Sequence, residues 1–222
     1  MPSELTRNLP HDDLSSGLPS SARLEAFSDG VFAVAITVLV LNLRAPNRPG
    51  VFLNELLIQW PSYVAYFAAF LVIGVVWLTH HALFSKIRFS STRLMLHNLL
   101  HLLVTSVIPF AAAVVSSAFR GGSRDDQLVG VIFFAIVSAA LSLSWISLTH
   151  CVTRAPQLLI NPDNGTSIRD ELRSQPIALI PPIIAVGIAA VNPLWGLIVF
   201  AVSPVYYLTT ILRAERRQAQ QR

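Results

Sequence analysis

The stretch RLEAFSDGVFAVAITVLVLNL, residues 23–43, is the part of the sequence that decides the fold. Its mainly apolar portion, from Val31 to Leu43, has only 13 residues, whereas a helix needs about 20 apolar residues to cross a bilayer. A membrane-spanning helix must therefore begin near Arg23, which draws Asp29 into one end of the membrane. A carboxylate at that depth is costly and usually has a partner or a function, although an interfacial acid near the lipid headgroups is the simpler alternative.

The composition indicates a membrane protein along the whole chain. Of the 222 residues, 53% are hydrophobic and only 13% are charged, whereas soluble domains average about 25% charged residues. So few charges cannot cover a water-facing surface of this size, and the sequence therefore predicts an all-α membrane protein. The formal net charge of +4 indicates orientation in the membrane rather than nucleic-acid binding, because the arginines separate apolar blocks.

Six apolar blocks predict six transmembrane helices. They are Arg23–Leu43, Leu56–Thr79, Leu94–Phe119, Leu128–His150, Gln175–Val191 and Leu194–Leu212. The fifth block is short and contains Pro181 and Pro182, so it is either a kinked span or a re-entrant segment. The expected organisation is a disordered cytoplasmic tail over residues 1–22, a six-helix transmembrane domain over residues 23–212 and a short basic cytoplasmic tail over residues 213–222.

The distribution of basic residues predicts the orientation of the chain. With a cytoplasmic N-terminus, 12 of the 16 Lys and Arg residues lie on the cytoplasmic side. The outer loops hold only Arg44, Arg48, Arg120 and Arg124. The positive-inside rule therefore favours cytoplasmic N- and C-termini, and an even number of helices agrees with it.

Helical periodicity divides the first helix into two faces. At about 100° per residue, one stripe contains Arg23, Phe27, Gly30, Val34, Thr37 and Leu41. Asp29 is rotated by about 140° from Val34, so a pore lined by the stripe would leave Asp29 against neighbouring helices. The periodicity alone assigns the stripe no role, since apolar helix faces in membranes usually mediate ordinary helix packing.

Polar residues at the end of the second predicted helix and the start of the third lie at the same membrane level as Asp29. Trp77, His80 and Asn98 are placed so that, with Asp29, they can form one hydrogen-bonded cluster between helices. Polar groups that are buried at membrane depth need such partners. We therefore expect an interhelical polar cluster at the cytoplasmic end of the bundle.

His97 and His101 raise the question of a metal site, because residues four apart share one face of a helix. The third helix has no neighbouring carboxylate, there is no His-Glu-x-x-His pattern, and Cys151 is the single cysteine. Zinc sites normally need such additional ligands, so a polar cluster or contact with lipid headgroups is expected rather than a metal or haem site. No catalytic or nucleotide-binding motif is present either, and the sequence does not indicate an enzyme.

Several motifs resemble one family of membrane proteins. The string RxxxFSDG over residues 23–30, followed by VFAVAIT over residues 31–37, is similar to the first helix of the prokaryotic branch of the transmembrane protein 175 family, the relatives of the lysosomal potassium channel. The WxxHxxLF pattern at residues 77–84, Asn98 followed downstream by Pro-Phe at residues 109–110, and the six-span length agree with this resemblance.

The resemblance, which covers roughly residues 23–110, implies six spans per chain and a homotetramer with one central pore, lined by the first helix of each chain. It implies that Val34 forms the apolar constriction, that Thr37 adds a hydroxyl layer one turn further on, and that Leu41 continues outward. Val34 is smaller than the Ile or Leu usual at this position, which would widen the constriction. The family's gating or interhelical network is carried over to Arg23, Phe27, Ser28, Asp29, Trp77, His80 and Asn98.

The function that the resemblance implies is a potassium-preferring cation leak channel in the cell membrane, with residues 23–212 as its channel domain. Its partners would be potassium ions, the lipid bilayer and further copies of the chain, and it would need no cofactor beyond the permeant ion. Permeation would depend on hydration at a hydrophobic constriction. The residues themselves leave two alternatives open: a proton-coupled or other secondary transporter that uses Asp29 and His80, and a membrane scaffold without conduction.

Overall fold

The fold is all-helical over the residues that the structure, a computed structural model, describes: 19–161 and 164–219. The longer helices are α1 (Ala22–Val38), α2 (Phe52–Ile58), α3 (Trp60–Phe84), α4 (Thr92–Gly121), α5 (Arg124–Thr153), α6 (Asn164–Ser174), α7 (Ile180–Val191) and α8 (Pro193–Ala219). Three short 3-10 segments accompany them at Leu39–Asn42, Pro156–Leu158 and Gln175–Leu179. The prediction of an all-α chain is confirmed.

Among the described residues, four helical stretches are long and apolar enough to cross a membrane, and the chain is a multi-pass membrane protein. They are Ala22–Asn42, Trp60–Phe84, Thr92–Gly121 and Arg124–Thr153. The fifth and sixth predicted blocks fold as the shorter apolar helices Ile177–Val191 and Pro193–Thr209.

The fifth block departs most from a regular span. The 3-10 segment Gln175–Leu179 takes up its first turns, so that α7 itself has 12 residues. At 1.5 Å per residue α7 is about 18 Å long, which is less than the roughly 30 Å of a bilayer's hydrocarbon core. By its length α7 alone does not cross the bilayer, and the expectation of six spans per chain is not confirmed.

A tight connection makes α4 and α5 antiparallel neighbours. Ser123 caps α5, because its hydroxyl accepts from the Asp126 N–H while the Asp126 carboxylate accepts from the Ser123 N–H at 2.8 Å. Such a reciprocal cap satisfies two helix-end donors. At Gly122 a Cβ atom would lie 2.5 Å from the Ala118 carbonyl oxygen, so the turn requires glycine.

The apolar core lies between α1, α3, α4, α5, α7 and α8. Its fully buried side chains come from several of these helices, among them Phe32, Ile73, Ile108 and Val131. Small residues bring α7 and α8 together: a Cβ at Gly196 would lie 2.7 Å from the Cβ of Ala189. Close approach at small residues is the usual way in which membrane helices pack, because lipid tails provide little hydrophobic drive for association.

Three extended segments meet at the end of the bundle where α1 begins. The Ser21 N–H donates to the Arg88 carbonyl at 3.2 Å, and the Ser90 N–H donates to the Pro19 carbonyl at 2.8 Å. The Arg88 N–H in turn donates to the Leu158 carbonyl at 2.8 Å. The start of α1 is thus tied to the connection between α3 and α4, and through it to the connection between α5 and α6.

The expected tails coincide only partly with the described chain. Residues 1–18 and 220–222 lie outside the described residues, and the predicted disorder of the first tail and most of its length belong there. Residues 19–21 differ from that expectation, because the α3–α4 connection satisfies their backbone groups. At the other end, α8 continues as helix to Ala219, beyond the predicted boundary at residue 212.

Candidate functional site

One face of α1 is left uncovered by the rest of the described chain. Val34 is 61% exposed and Leu41 is 76% exposed on this face. All six residues of the predicted stripe are exposed: Arg23, Phe27, Gly30, Val34, Thr37 and Leu41. Ala35, next to Val34 in sequence, is only 5% exposed. We call the exposed surface that carries the six stripe residues the outer face of α1.

Thr37 is the polar side chain in the middle of the outer face. Its hydroxyl donates to the Val34 carbonyl of the same helix at 2.9 Å. Because the single hydroxyl proton is used in that bond, the oxygen keeps its lone pairs free for an electron-poor neighbour. The outer face therefore offers one layer of acceptor oxygen next to the apolar Val34 side chain, an arrangement suited to a partly dehydrated cation.

An open groove of about 490 Å³ lies between α1 and α4, beside the outer face. Phe27, Gly30 and Val34 contribute to its α1 wall, and Ser106 and Pro109 to its α4 wall. The groove and the outer face form one continuous, mainly apolar surface. Extended apolar surfaces of this kind require lipid or another protein surface against them.

Two acidic side chains of α1 have partners on α3. The indole N–H of Trp77 donates to the Asp29 carboxylate at 3.0 Å. One turn nearer the start of α1, the Glu25 carboxylate lies 3.1 Å from Nδ1 of His81. Both contacts lie at the accessible edge of the packing between α1 and α3. Asp29 therefore has a hydrogen-bond partner on another helix.

A separate, buried chain of hydrogen bonds joins α1, α3 and α4. His80 Nε2 lies 2.8 Å from the Asn98 amide oxygen, and the Asn98 amide N–H donates to the Ser28 hydroxyl at 2.9 Å. The Ser28 hydroxyl donates in turn to the Leu24 carbonyl at 2.8 Å. Because an amide oxygen only accepts, Nε2 must carry the proton of a neutral His80. The hydrogen bonds therefore run in one direction, with His80 of α3 donating to Asn98 of α4 and Asn98 donating to Ser28 near the start of α1.

The predicted single cluster is therefore divided into two groups, Asp29 with Trp77 and His80 with Asn98 and Ser28. The division follows from the helix geometry. Adjacent positions are about 100° apart around a helix, so Ser28 faces α4 while Asp29 faces the outer edge of α3. The sequence predicted which helices carry these polar residues. It did not predict that the neighbouring residues Ser28 and Asp29 of α1 bond to different partners.

The two histidines of α4 each pair with a serine of α5. His97 Nδ1 lies 2.8 Å from the Ser147 hydroxyl, and His101 Nδ1 lies 2.9 Å from the Ser144 hydroxyl. Across residues 19–161 and 164–219, no three His, Cys, Asp or Glu side chains are grouped so that they could hold a metal ion. Each ring is thereby bonded to α5 through its Nδ1 atom.

The far end of α1 is held by residues that sequence reasoning missed. The buried Gln59 side chain accepts from the Arg44 N–H at 3.0 Å and donates to the Arg44 carbonyl at 2.9 Å. The Asn42 amide donates to the Pro109 carbonyl at 3.2 Å. A glutamine directly before the apolar run of α3 was a usable signal. Its partner is the backbone of Arg44, however, and the sequence does not indicate which backbone group a side chain will bind.

The loop after Arg44 is closed by an ion pair between Arg48 and Glu55. The Glu55 carboxylate also accepts from the Asn47 N–H at 2.9 Å. These bonds, first of all that from the Arg48 side chain, hold the pKa of the Glu55 carboxyl below its usual value. The loop that follows the outer face is therefore fastened to α2.

A family model described as the endosomal/lysosomal potassium channel TMEM175 matches residues 23–109 of this chain. The matched region contains α1, α2, α3 and most of α4. It therefore includes the outer face of α1 and both hydrogen-bonded groups. The second half of the chain lies outside this match.

Individual relatives and a solved structure extend the likeness. The chain is 39% identical over 140 residues to a potassium channel of Streptomyces collinus, covering 62% of this chain and 67% of that protein. It is 39% identical over 100 residues to a potassium channel of Chamaesiphon minutus, covering 43% of this chain and about half (49%) of that relative. The crystal structure of a lysosomal potassium-selective channel TMEM175 homologue from Chamaesiphon minutus matches with a TM-score of 0.69 and 25% identity. That match covers 86% of this chain and 97% of the other.

Proposed function

Because this chain belongs to the TMEM175 family, we propose that it is a potassium-preferring cation leak channel. The family is one of ion channels rather than enzymes. In the proposed assembly, four copies place the outer face of α1 around one central pore. Potassium ions pass down their gradient through this pore, and the protein needs no other ligand for conduction.

The observation that carries the proposal is the uncovered outer face of α1. In the described chain Val34 and Leu41 are largely exposed, and the Thr37 hydroxyl bonds to the backbone of its own helix. In a fourfold arrangement the Val34 side chains form a narrow apolar ring, where passage depends on whether water and ions enter. Thr37 oxygens then contact the ion one turn further on, and Leu41 lines the route outward.

The hydrogen-bonded groups on the other side of α1 support a second part of the proposal. Ser28, bonded to Asn98 and through it to His80, fixes the rotation of α1 about its axis. Asp29, bonded to Trp77, fixes its distance from α3. We assign these residues to the network that positions the pore helix and sets whether the ring is wide or narrow. Arg23 and Phe27, which the sequence also assigned to this network, lie instead on the exposed outer face.

The proposal includes an orientation. The channel lies in the cell membrane, and both termini face the cytoplasm. The helices α7 and α8 complete six crossings of this membrane. The excess of Lys and Arg in the segments at the α1-start end supports this orientation. In this arrangement Arg44, Arg48 and Glu55 lie at the extracellular mouth.

The geometry does not favour the carrier that uses Asp29 and His80 as a proton relay. Asp29 bonds to Trp77 at an accessible edge, whereas His80 is fully buried and bonds to Asn98. The two groups belong to separate hydrogen-bonded sets, so no shared relay is formed between them. A passive channel requires no such relay.

The test is potassium flux from liposomes that contain the purified protein. A channel is expected to release potassium rapidly down its gradient, and it needs no pH gradient to do so. The rate of release should follow the membrane voltage that an ionophore sets. Val34→Phe is expected to suppress this flux while the protein keeps its assembly state in detergent. Slow flux that saturates with potassium and needs a proton gradient would show a carrier, and no flux from correctly assembled protein would show a scaffold.

A further inference from the structure

A second cavity, of about 470 Å³, lies within one chain and away from the outer face of α1. It is bounded by α3, α4, α5, α7, α8 and the 3-10 segment Gln175–Leu179. Most of its wall is apolar, with Val76, Phe134, Trp145 and Phe200 among the lining side chains. Pockets that hold small molecules in proteins have volumes of roughly 300–1,000 Å³ and mostly apolar walls. The size and lining of this cavity fall in that class.

Two of the residues that line this cavity each have a buried nitrogen atom with no hydrogen-bond partner within the described chain. These atoms are Nε2 of His101, whose residue is 1% exposed, and Nε2 of Gln175, whose residue is 9% exposed. Native structures leave few buried polar side-chain atoms unpaired, and each such case calls for an explanation. Both residues line the same cavity, so one ligand in the cavity can explain both atoms.

The bonds on the other side of the His101 ring define what its free nitrogen offers. The Ser144 hydroxyl donates to the Leu141 carbonyl at 2.8 Å, so it can only accept from His101 Nδ1, 2.9 Å away. A neutral imidazole with its proton on Nδ1 has a bare lone pair on Nε2. His101 therefore presents an acceptor to the cavity.

Gln175 adds a second polar group. One end of its amide lies 2.9 Å from the Thr149 hydroxyl, and the other end has no partner. The Thr149 hydroxyl has a single proton and also lies 2.9 Å from the Trp145 carbonyl, so either end of the amide is able to face it. The residues that line the cavity therefore provide one acceptor, from His101, and one end of an amide, in a mainly apolar wall. The described residues that line it include no Asp, Glu, Lys or Arg. A charged ligand would lack a counter-charge, whereas a hydroxyl group is able both to donate and to accept.

We propose that this cavity binds an uncharged, lipid-soluble molecule through a hydroxyl group, which donates to His101 Nε2 or bonds to the free end of the Gln175 amide. The apolar part of the molecule lies against the side chains of α3, α5 and α8. The cavity opens past Ile177 and Tyr206, which are both exposed, and these side chains form an apolar entrance suited to a molecule arriving from the bilayer. The site is separate from the conduction surface, and the proposal does not depend on the channel function.

Contact quenching of tryptophan fluorescence tests this proposal in the purified full-length chain in detergent. The probe is 8-bromo-1-octanol, whose bromine quenches on contact with Trp145, and the comparison compound is 1-bromooctane, which lacks the hydroxyl. We expect saturable quenching by the alcohol, with at least about fivefold weaker binding of 1-bromooctane, since one hydrogen bond to a buried group contributes roughly 1 kcal/mol. The saturable component should disappear in Trp145→Phe.

Variants locate the bonds and separate a folding defect from a binding defect. His101→Phe keeps a planar ring and is expected to reduce the preference for the alcohol over 1-bromooctane, whereas His97→Phe, one turn earlier on α4 and outside the cavity, should leave it unchanged. Ala178→Phe fills the cavity and should abolish saturable quenching by both compounds. Quenching that never saturates, or equal binding of both compounds by the parent and His101→Phe proteins, would show detergent partitioning or a cavity that holds only water, and would overturn the proposal.

Discussion

The two faces of α1 differ in every property that decides how a membrane helix is used. The inner face, with Ser28, Phe32, Ala35 and Leu39, is at most 5% exposed and bonds through Ser28 to Asn98 of α4. The outer face carries Val34 and the other residues of the stripe and makes no side-chain hydrogen bond to another helix in the described chain. The inner face of α1 is therefore packed against its own chain, whereas the outer face is available for contact with another partner.

This difference separates stability from conduction. Changes on the inner face remove packing or buried hydrogen bonds, so they should lower the stability of each chain. Changes on the outer face remove no contact within the chain, so in the proposed assembly they should alter ion flux and selectivity while the chain stays folded. The comparison would be contradicted by an outer-face change that mainly lowers stability, or by an inner-face change that alters ion flux while stability is unchanged.

The largest effect is expected from the size of the side chain at Val34. Val34→Phe should narrow or dewet the proposed ring and suppress potassium flux by more than about tenfold, because hydrophobic constrictions control conduction through hydration. Val34→Ala should raise the flux and reduce discrimination against sodium. Thr37→Val keeps the shape but removes the hydroxyl, and should mainly lower the potassium preference. The measurement is the potassium-to-sodium permeability ratio at matched protein per vesicle, with Ala35→Val as the control that should affect packing more than selectivity.

A matched pair of phenylalanines compares the faces by stability. Phe32 is 1% exposed and Phe27 is 54% exposed on the same helix. Phe32→Ala leaves a cavity and should destabilise the chain by roughly 3 kcal/mol, the low end of the range for soluble cores, because a membrane-embedded unfolded state keeps the side chain in lipid. Phe27→Ala should leave the unfolding of the single chain nearly unchanged. Thermal unfolding in detergent measures both, and equal losses would show that the outer face is also packed within the chain.

The buried hydrogen bonds of the inner face are tested by Asn98→Leu. This change leaves the His80 Nε2–H without its acceptor and removes the donor to Ser28. A buried donor without a partner costs about 1–3 kcal/mol, so the chain should unfold more easily. The loss should be smaller in Ser28→Ala, which keeps the Asn98 acceptor for His80 and removes only the Ser28 hydroxyl. If both variants unfold like the parent protein, the Ser28–Asn98–His80 chain does not hold α1.

The smallest effect is expected at the loop that follows the outer face. The pKa of Glu55 is held below its usual value, chiefly by the bond from Arg48. The ionised form is therefore favoured by the folded loop, and this contribution is complete above the usual pKa and lost as the pH falls through the lowered pKa. The difference in unfolding temperature between the parent and Glu55→Gln should be small and should vanish in acid. A difference that grows in acid would contradict the assignment.

The membrane character and the two faces of α1 follow from the sequence, because composition and a 3.6-residue period report them directly. The count of six spans is not confirmed, since four helical stretches of the described residues are long and apolar enough to cross a membrane. The pairing of Trp77 with Asp29 rather than with the His80 group does not follow from the sequence, since neighbouring positions on a helix point to different partners and rotation is set by packing. Gln59 was missed because it binds the backbone of Arg44. The cavity beside His101 was missed because its walls come from segments as distant as α3 and α8.

The central claim, that the outer face of α1 lines the conduction path, is tested most directly by cysteine modification in a Cys151→Ser background. Single cysteines replace Val34, Thr37 and Ala35, and potassium flux from liposomes is recorded before and after a cationic thiol reagent is added. Modification should block flux in the Val34→Cys and Thr37→Cys proteins and leave Ala35→Cys unaffected, because Ala35 faces the protein interior. Block at Ala35→Cys with none at the other two positions, in channels that conduct before treatment, would contradict the account.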